Sequence, residues 1–200
     1  MKSKIYGINT LVKTKFVSLY DVVYKNKVGK ENHWMVASRK NEKDLKEIYL
    51  ENKEDNVDAV VVVSYHKKYQ KLVLVKQFRV PINKFVYELP AGLVDNNEDV
   101  IDSVKRELKE ETGLEVLEIN QNFEKLYLSP GMTDESVSLV FCTCDGELSD
   151  ENLEDDEEII PVLVSQDEAK KLLENKEVMD IKALLVLKSF VSMGSRYFID

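Results

Sequence analysis

Between Gly92 and Leu114 the chain reads GLVDNNEDVIDSVKRELKEETGL, and the acids in this run fall at spacings able to grip a metal ion. Val100, Ile101, Val104 and Leu108 recur at helical intervals, so a helix over about residues 98–112 buries one apolar stripe. At roughly 100° per residue, Glu107 and Glu111 point within about 40° of each other, with Glu110 about 60° further round. Glu111 therefore borders the buried stripe, where a carboxylate is costly to desolvate unless a cation compensates it. Three acids on one side of a helix also repel one another. Arg106 supplies a permanent counter-charge beside them. The simplest chemistry for such a cluster is a divalent-cation site with hard oxygen ligands, suited to Mg2+.

Charged runs on helices are ordinarily solvated faces, and a pair of glutamates alone would carry little weight. Here nine positions agree without a gap: Gly92, Glu98, Arg106, Glu107, Leu108, Glu110, Glu111, Gly113 and Leu114. The segment resembles the Nudix box, a motif far more specific than a lone glycine-rich loop. Glu88-Leu89-Pro90-Ala91-Gly92 leads into it after Val75-Lys76-Gln77-Phe78-Arg79, and Ser129-Pro130-Gly131-Met132-Thr133-Asp134-Glu135 follows it. Together with a basic, strand-rich leader, these flanks are similar to those of ADP-ribose pyrophosphatases and related nucleotide-sugar hydrolases.

The resemblance implies an α/β (α+β) fold, an α/β/α sandwich with a mixed sheet, preceded by a small antiparallel β domain. It divides the chain into an N-terminal sheet domain, 1–50, and a hydrolase domain, 51–200. It implies metal ligation by Glu107, Glu111 and the Ala91 carbonyl, with Mg2+ as cofactor and Mn2+ as a substitute. Arg106, Glu110 and the loop residue Glu135 become catalytic candidates, Glu135 as general base. Glu98 is expected to cap or brace the start of the helix, where negative charge meets the positive dipole end. Arg79 is a candidate to hold a phosphate oxygen through its planar fork. Trp34, the only tryptophan, is a candidate to stack a purine. Arg39 is a further substrate-contacting candidate, although its odd offset from Trp34 sends the two to opposite faces of a regular strand. The substrate implied is a small nucleoside diphosphate linked to another group, ADP-ribose first and GDP-mannose or another nucleotide sugar second. A module that senses ADP-ribose without cutting it is the non-enzymatic alternative. The leader is similar to one through which dimers exchange, so a homodimer is expected.

The elements that must position these residues follow from pattern. Strands are expected over about 16–24 and 33–39, joined by a turn at Gly29, with 46–50 as a third. Further strands are expected near 59–64, 72–77, 85–89, 116–128, 136–143 and 159–164, and helices near 165–174 and 179–193. Residues 147–158 hold eight acids in twelve positions and should form a solvated loop.

A 200-residue chain that is 44% hydrophobic and 32% charged belongs with ordinary globular domains. No stretch reaches the ~20 apolar residues that span a bilayer, and the first residues lack the pattern of a secretion signal. The net charge of −9 argues against a nucleic-acid-binding surface. Residues 1–50 nonetheless carry a balance of +6, from eleven basic and five acidic side chains. Cys142 and Cys144 lie on one face of a strand as neighbours too close for a good disulfide, and read as buried apolar residues in a reduced cytoplasmic setting. His33 and His66 lack partners at ligand or triad spacing and read as surface or strand residues. No glycine-rich phosphate loop and no nucleophile elbow is present.

Overall fold

The computed structural model describes residues 4–153 and 157–199. Its contacts divide into two compact units, residues 1–58 with 125–137, and residues 59–124 with 138–200.

In the first unit, β1 (Ile5–Val12), β2 (Ser18–Lys25) and β3 (Glu31–Ser38) form an antiparallel sheet in the order β1-β2-β3. The β2–β3 turn bonds Gly29 N–H to the Asn26 carbonyl, and Gly29 takes a positive φ of 79° that suits glycine. One sheet face supplies Ile8, Tyr20 and Val22 to a small core closed by Leu45 of helix α1 (Glu42–Glu51). The third strand expected over 46–50 is therefore a helix, and β1 takes the third place in the sheet. The reason is local. The Asn41 side chain caps the helix by accepting from Asp44 N–H, and Leu45 and Tyr49 fall one turn apart against the sheet.

The second unit is built on a seven-stranded sheet. Its main path runs β10 (Ile159–Val164), β5 (Lys71–Arg79), β4 (Ala59–His66), β9 (Ser136–Asp145), β8 (Glu115–Tyr127). β6 (Lys84–Glu88) pairs with β5, and β7 (Ala91–Leu93) pairs with β4. β5 runs antiparallel to β10, β4 and β6. Asp58 N–H bonds to the Ser136 carbonyl and Lys67 N–H to the Cys144 carbonyl, so β4 and β9 run parallel and the sheet is mixed.

Every residue of β4 is buried, as expected of a strand covered on both faces. Val60 and Val62 pack with Val104 and Leu108 of helix α2 (Val100–Thr112) and with Val140, Cys142 and Cys144. On the opposite face Tyr65 meets Phe190 of α4 (Ile181–Met193) and stacks on Phe198 of α5 (Arg196–Ile199), ring centroids 6.3 and 4.9 Å away. Helix α3 (Gln166–Glu174) opens on a capping box between Ser165 and Glu168. The expected α/β/α sandwich is present. Among the described residues no helix is long and apolar enough to cross a membrane.

Both cysteines are buried, and burial pushes their thiols up to about 12 for Cys142 and about 11 for Cys144. His33 lies exposed on β3 beside Asp21. His66 lies on a strand as expected but fully inside, its Nε2 3.0 Å from the Gly146 carbonyl and its Nδ1 accepting from Tyr69 N–H. Two backbone partners satisfy the ring and make burial tolerable.

Candidate active site

Helix α2 begins at an Asp99 cap and ends at Gly113, whose positive φ of 76° closes the last turn. Asp99, not Glu98, caps the helix. Glu98 braces it instead, accepting from Ser103 Oγ at 2.6 Å, Asp95 N–H at 3.1 Å and Arg106 Nε at 2.9 Å. The bonds from Arg106 hold the Glu98 carboxyl down to about 2.

Arg106 spends its whole fork locally. Nε and Nη2 grip Glu98, Nη1 reaches Glu107 at 2.7 Å and Glu110 at 3.0 Å, and Nη2 also donates to the Leu93 carbonyl. These bonds pull Arg106, Glu107 and Glu110 into one cluster and leave Arg106 more firmly charged than usual. Its role is to set the direction of two carboxylates.

Glu107 and Glu111 are buried at 8% and 3% exposure, at the edge of the apolar stripe where the helical spacing puts them. Burial raises the Glu107 pKa against the pull of Arg106, with Glu110 and Glu157 adding to the rise. Burial raises Glu111 further; Glu107 and Glu157 push the same way, while the Ala91 amide and Arg79 oppose. Ala91 N–H donates to Glu111 Oε2 at 3.1 Å, so β7 delivers its backbone to the carboxylate. A Cβ at Gly92 would lie 1.9 Å from Glu107 Cδ, so any side chain there would displace the Glu107 carboxyl.

Two dehydrated carboxylates that resist charge fit a hard divalent cation, whose binding would relieve both. Among the described residues no three His, Cys, Asp or Glu side chains converge as a complete cage.

Arg79, at the end of β5, is locked by Glu88 on β6 through two bonds, Nε–Oε1 at 2.7 Å and Nη2–Oε2 at 2.8 Å. The Glu88 bonds raise its pKa, and the charges of Glu111 and Asp180 add to the effect. Arg79 is thus within electrostatic reach of Glu111. Glu88 and Glu157 are two acids near this cluster that sequence reasoning left without a role. In the strand register Glu88 stands opposite Val75 and Arg79 opposite Lys84, so pairing alone gave no sign of the Arg79–Glu88 contact. Glu157 gave none either, since it lies in the acid-rich run.

The remaining candidates lie in the first unit. Arg39 Nε and Nη2 both reach Glu135 Oε1 at 3.3 Å. Arg39 follows the last residue of β3, so strand alternation from Trp34 does not extend to it. Trp34 Nε1 donates to the Gly131 carbonyl at 3.1 Å, which fixes the ring while half of it stays exposed. Beneath these contacts Lys40 lies 2.7 Å from Asp58, 3.4 Å from Asp134 and 3.5 Å from Asp55. Burial works against the Lys40 charge, but its bond to Asp58 and the three carboxylates outweigh it and leave the ammonium firmly protonated. Asp134 also accepts from Ser38 Oγ at 3.0 Å, so the network ties the end of β3 to the 129–135 loop. A lone lysine carries no sign of such a role in its spacing.

The NUDIX domain family matches residues 55–184. The chain belongs to the Nudix family, as hydrolases of this class do that carry the box intact. It is 33% identical over 119 residues to the ADP-ribose pyrophosphatase of Bacillus subtilis, covering 59% of this chain and 64% of that one. It is 28% identical over 190 residues to the GDP-mannose pyrophosphatase of an Enterobacter strain, covering 86% and 95%. Among solved structures, a crystal structure of an ADP compounds hydrolase superposes with a TM-score of 0.67 at 20% identity, covering 96% of this chain and 95% of that one.

Proposed function

We propose that this chain is a Mg2+-dependent diphosphatase that splits ADP-ribose into AMP and ribose 5-phosphate. The observation that carries the reading is the pair Glu107 and Glu111, buried with raised proton affinity against the glycine-tight backbone of Ala91-Gly92. In this reading Glu107, Glu111 and the Ala91 carbonyl hold the cation. When bound, it neutralises the diphosphate and lowers the pKa of an attacking water. Water adds to one phosphorus, the bridging oxygen leaves with the other phosphate, and a base takes the water's proton.

Arg106 holds Glu107 and Glu110 in register, and Glu110 assists as a further acid at the helix. Arg79, already oriented by Glu88, presents its remaining N–H groups to a phosphate oxygen. Two residues compete for the role of base. Glu135 is the loop glutamate the resemblance points to. Glu157 is favoured by a separate observation, because its charge acts on both Glu107 and Glu111. Trp34 and Arg39 belong to substrate binding.

Residues 1–50 form a dimerisation and substrate-binding arm, so the working form is a homodimer in the cytoplasm, with no nucleic acid or membrane partner. The relatives named for GDP-mannose support a rival substrate. A panel of ADP-ribose, GDP-mannose and other nucleotide sugars with Mg2+ tests the reading. ADP-ribose should turn over fastest; rapid GDP-mannose hydrolysis with no cleavage of ADP-ribose overturns it. A single protomer mass in solution at assay concentration overturns the dimer.

A further inference from the structure

In the first unit the 129–135 loop runs parallel to the end of β3. Ala37 N–H bonds to the Met132 carbonyl at 2.9 Å, and Ala37 stands beside Thr133 in a parallel bridge. That register sets the following residues side by side, Ser38 against Asp134 and Arg39 against Glu135. Of the two adjacent acids, one turns in and one turns out. Asp134 is held inside by Ser38 and Lys40, its side chain 11% exposed. Glu135 is held outside by Arg39, the two side chains 28% and 42% exposed.

The outer pair differs from the arginine pairs of the second unit. Arg79 meets both oxygens of Glu88, at 2.7 and 2.8 Å, and Arg106 uses all three of its side-chain nitrogens. Arg39 instead sends Nε and Nη2 to one oxygen of Glu135, both at 3.3 Å. Charge-assisted bonds of this kind ordinarily close to about 2.7–2.9 Å. A long, exposed pair contributes little, so opening it costs little. A carboxylate on a guanidinium also takes the fork that a phosphate would take. The phosphate brings more charge and three acceptor oxygens.

We propose that Glu135 is a resident counter-anion on Arg39, which a phosphate group of the substrate displaces. Affinity is then set by competition: the ligand must outbid a carboxylate that the fold supplies. The inner bonds of Asp134 to Ser38 and Lys40 keep the loop in register when the outer pair opens. The proposal rests on Arg39 as a substrate contact in the diphosphatase reading, and it gives Glu135 a role separate from proton transfer.

Inorganic pyrophosphate, the group common to every substrate considered above, is titrated calorimetrically into the full chain in low-salt buffer free of divalent metal. Glu135→Gln, melting as the parent does, should bind it about 3–5-fold more tightly, the scale of one exposed ion pair. In an Arg39→Ala background the same change should have no effect, because the competitor has lost its seat. A gain that persists without Arg39 reflects only the loss of a nearby negative charge, and it overturns the proposal. Parent affinity in Glu135→Gln, or no binding by either form, overturns it as well. Hydrolysis plays no part in this titration, so ADP-ribose left uncut removes the diphosphatase reading while the competition on Arg39 is still measured.

Discussion

The α2 cluster and the Lys40 network both gather charge, but they do so over very different distances in sequence. Around α2, Arg106 binds residues 1, 4, 8 and 13 positions away, and the result is a pair of carboxylates left wanting a cation. In the first unit, Ser38 meets Asp134 across 96 positions, and Lys40 pairs with Asp55, Asp58 and Asp134 within the protein. A chemical site keeps part of its electrostatics unsatisfied for its ligand; a structural clip satisfies all of it.

That contrast can be broken by substitution. The largest effect is expected at Glu111. Glu111→Gln should lower kcat by at least ~10²-fold, the scale of losing one charge-stabilising element. The same change should stabilise the metal-free protein. The fold raises the pKa of Glu107 and Glu111, so it favours their protonated forms, and stability falls as pH rises through their titration. Glutamine mimics the protonated state, and a gain of about 1 kcal/mol would appear as a Tm increase of roughly 2–4 °C at pH 7. Glu98 has the opposite sign. Its pKa is lowered from 4.5 to about 2, so its contribution is present above about pH 4.5 and lost as pH falls toward 2. Glu98→Gln should therefore flatten the acid limb of a Tm-against-pH curve.

Lys40→Met should act on stability first, because it strands three partly buried aspartates. About 3 kcal/mol lost in urea unfolding is expected. A loss below about 1 kcal/mol would make the network a surface decoration. Gly92→Ala should cost about 1–3 kcal/mol and displace the Glu107 carboxyl, raising the Mg2+ concentration needed for half-maximal turnover. Unchanged metal dependence would show that the Glu107 position is not required.

The smallest stability change is expected for Arg39→Ala, since an exposed pair contributes under about 1 kcal/mol. Its KM should rise while Tm stays put. Glu135→Gln and Glu157→Gln then sharpen the choice of base: the true base should lose kcat clearly, and the other should keep it.

What could be read in advance follows the same division. The box is contiguous, so Glu107, Glu111 and Arg106 could be placed from helical spacing alone, and the burial of Glu111 followed from its neighbours Val104 and Leu108. The sandwich was legible because β4 is apolar at nearly every position and must be covered twice. The segment 46–50 was misread as a strand because Ile48-Tyr49-Leu50 favour β structure locally. Burial of Leu45 and the Asn41 cap outweigh that preference. Lys40 gave no signal, because its role depends on residues far along the chain. Glu157 was hidden for a different reason: in a run of acids, only tertiary structure shows which one faces other carboxylates.

The central claim is that two helix carboxylates grip a divalent cation against a diphosphate. Calorimetric titration of Mg2+ into the protein with a non-hydrolysable ADP-ribose analogue addresses it directly. Tight binding to the parent and its loss in Glu111→Gln is the expected result; full Mg2+ affinity in that variant contradicts the account.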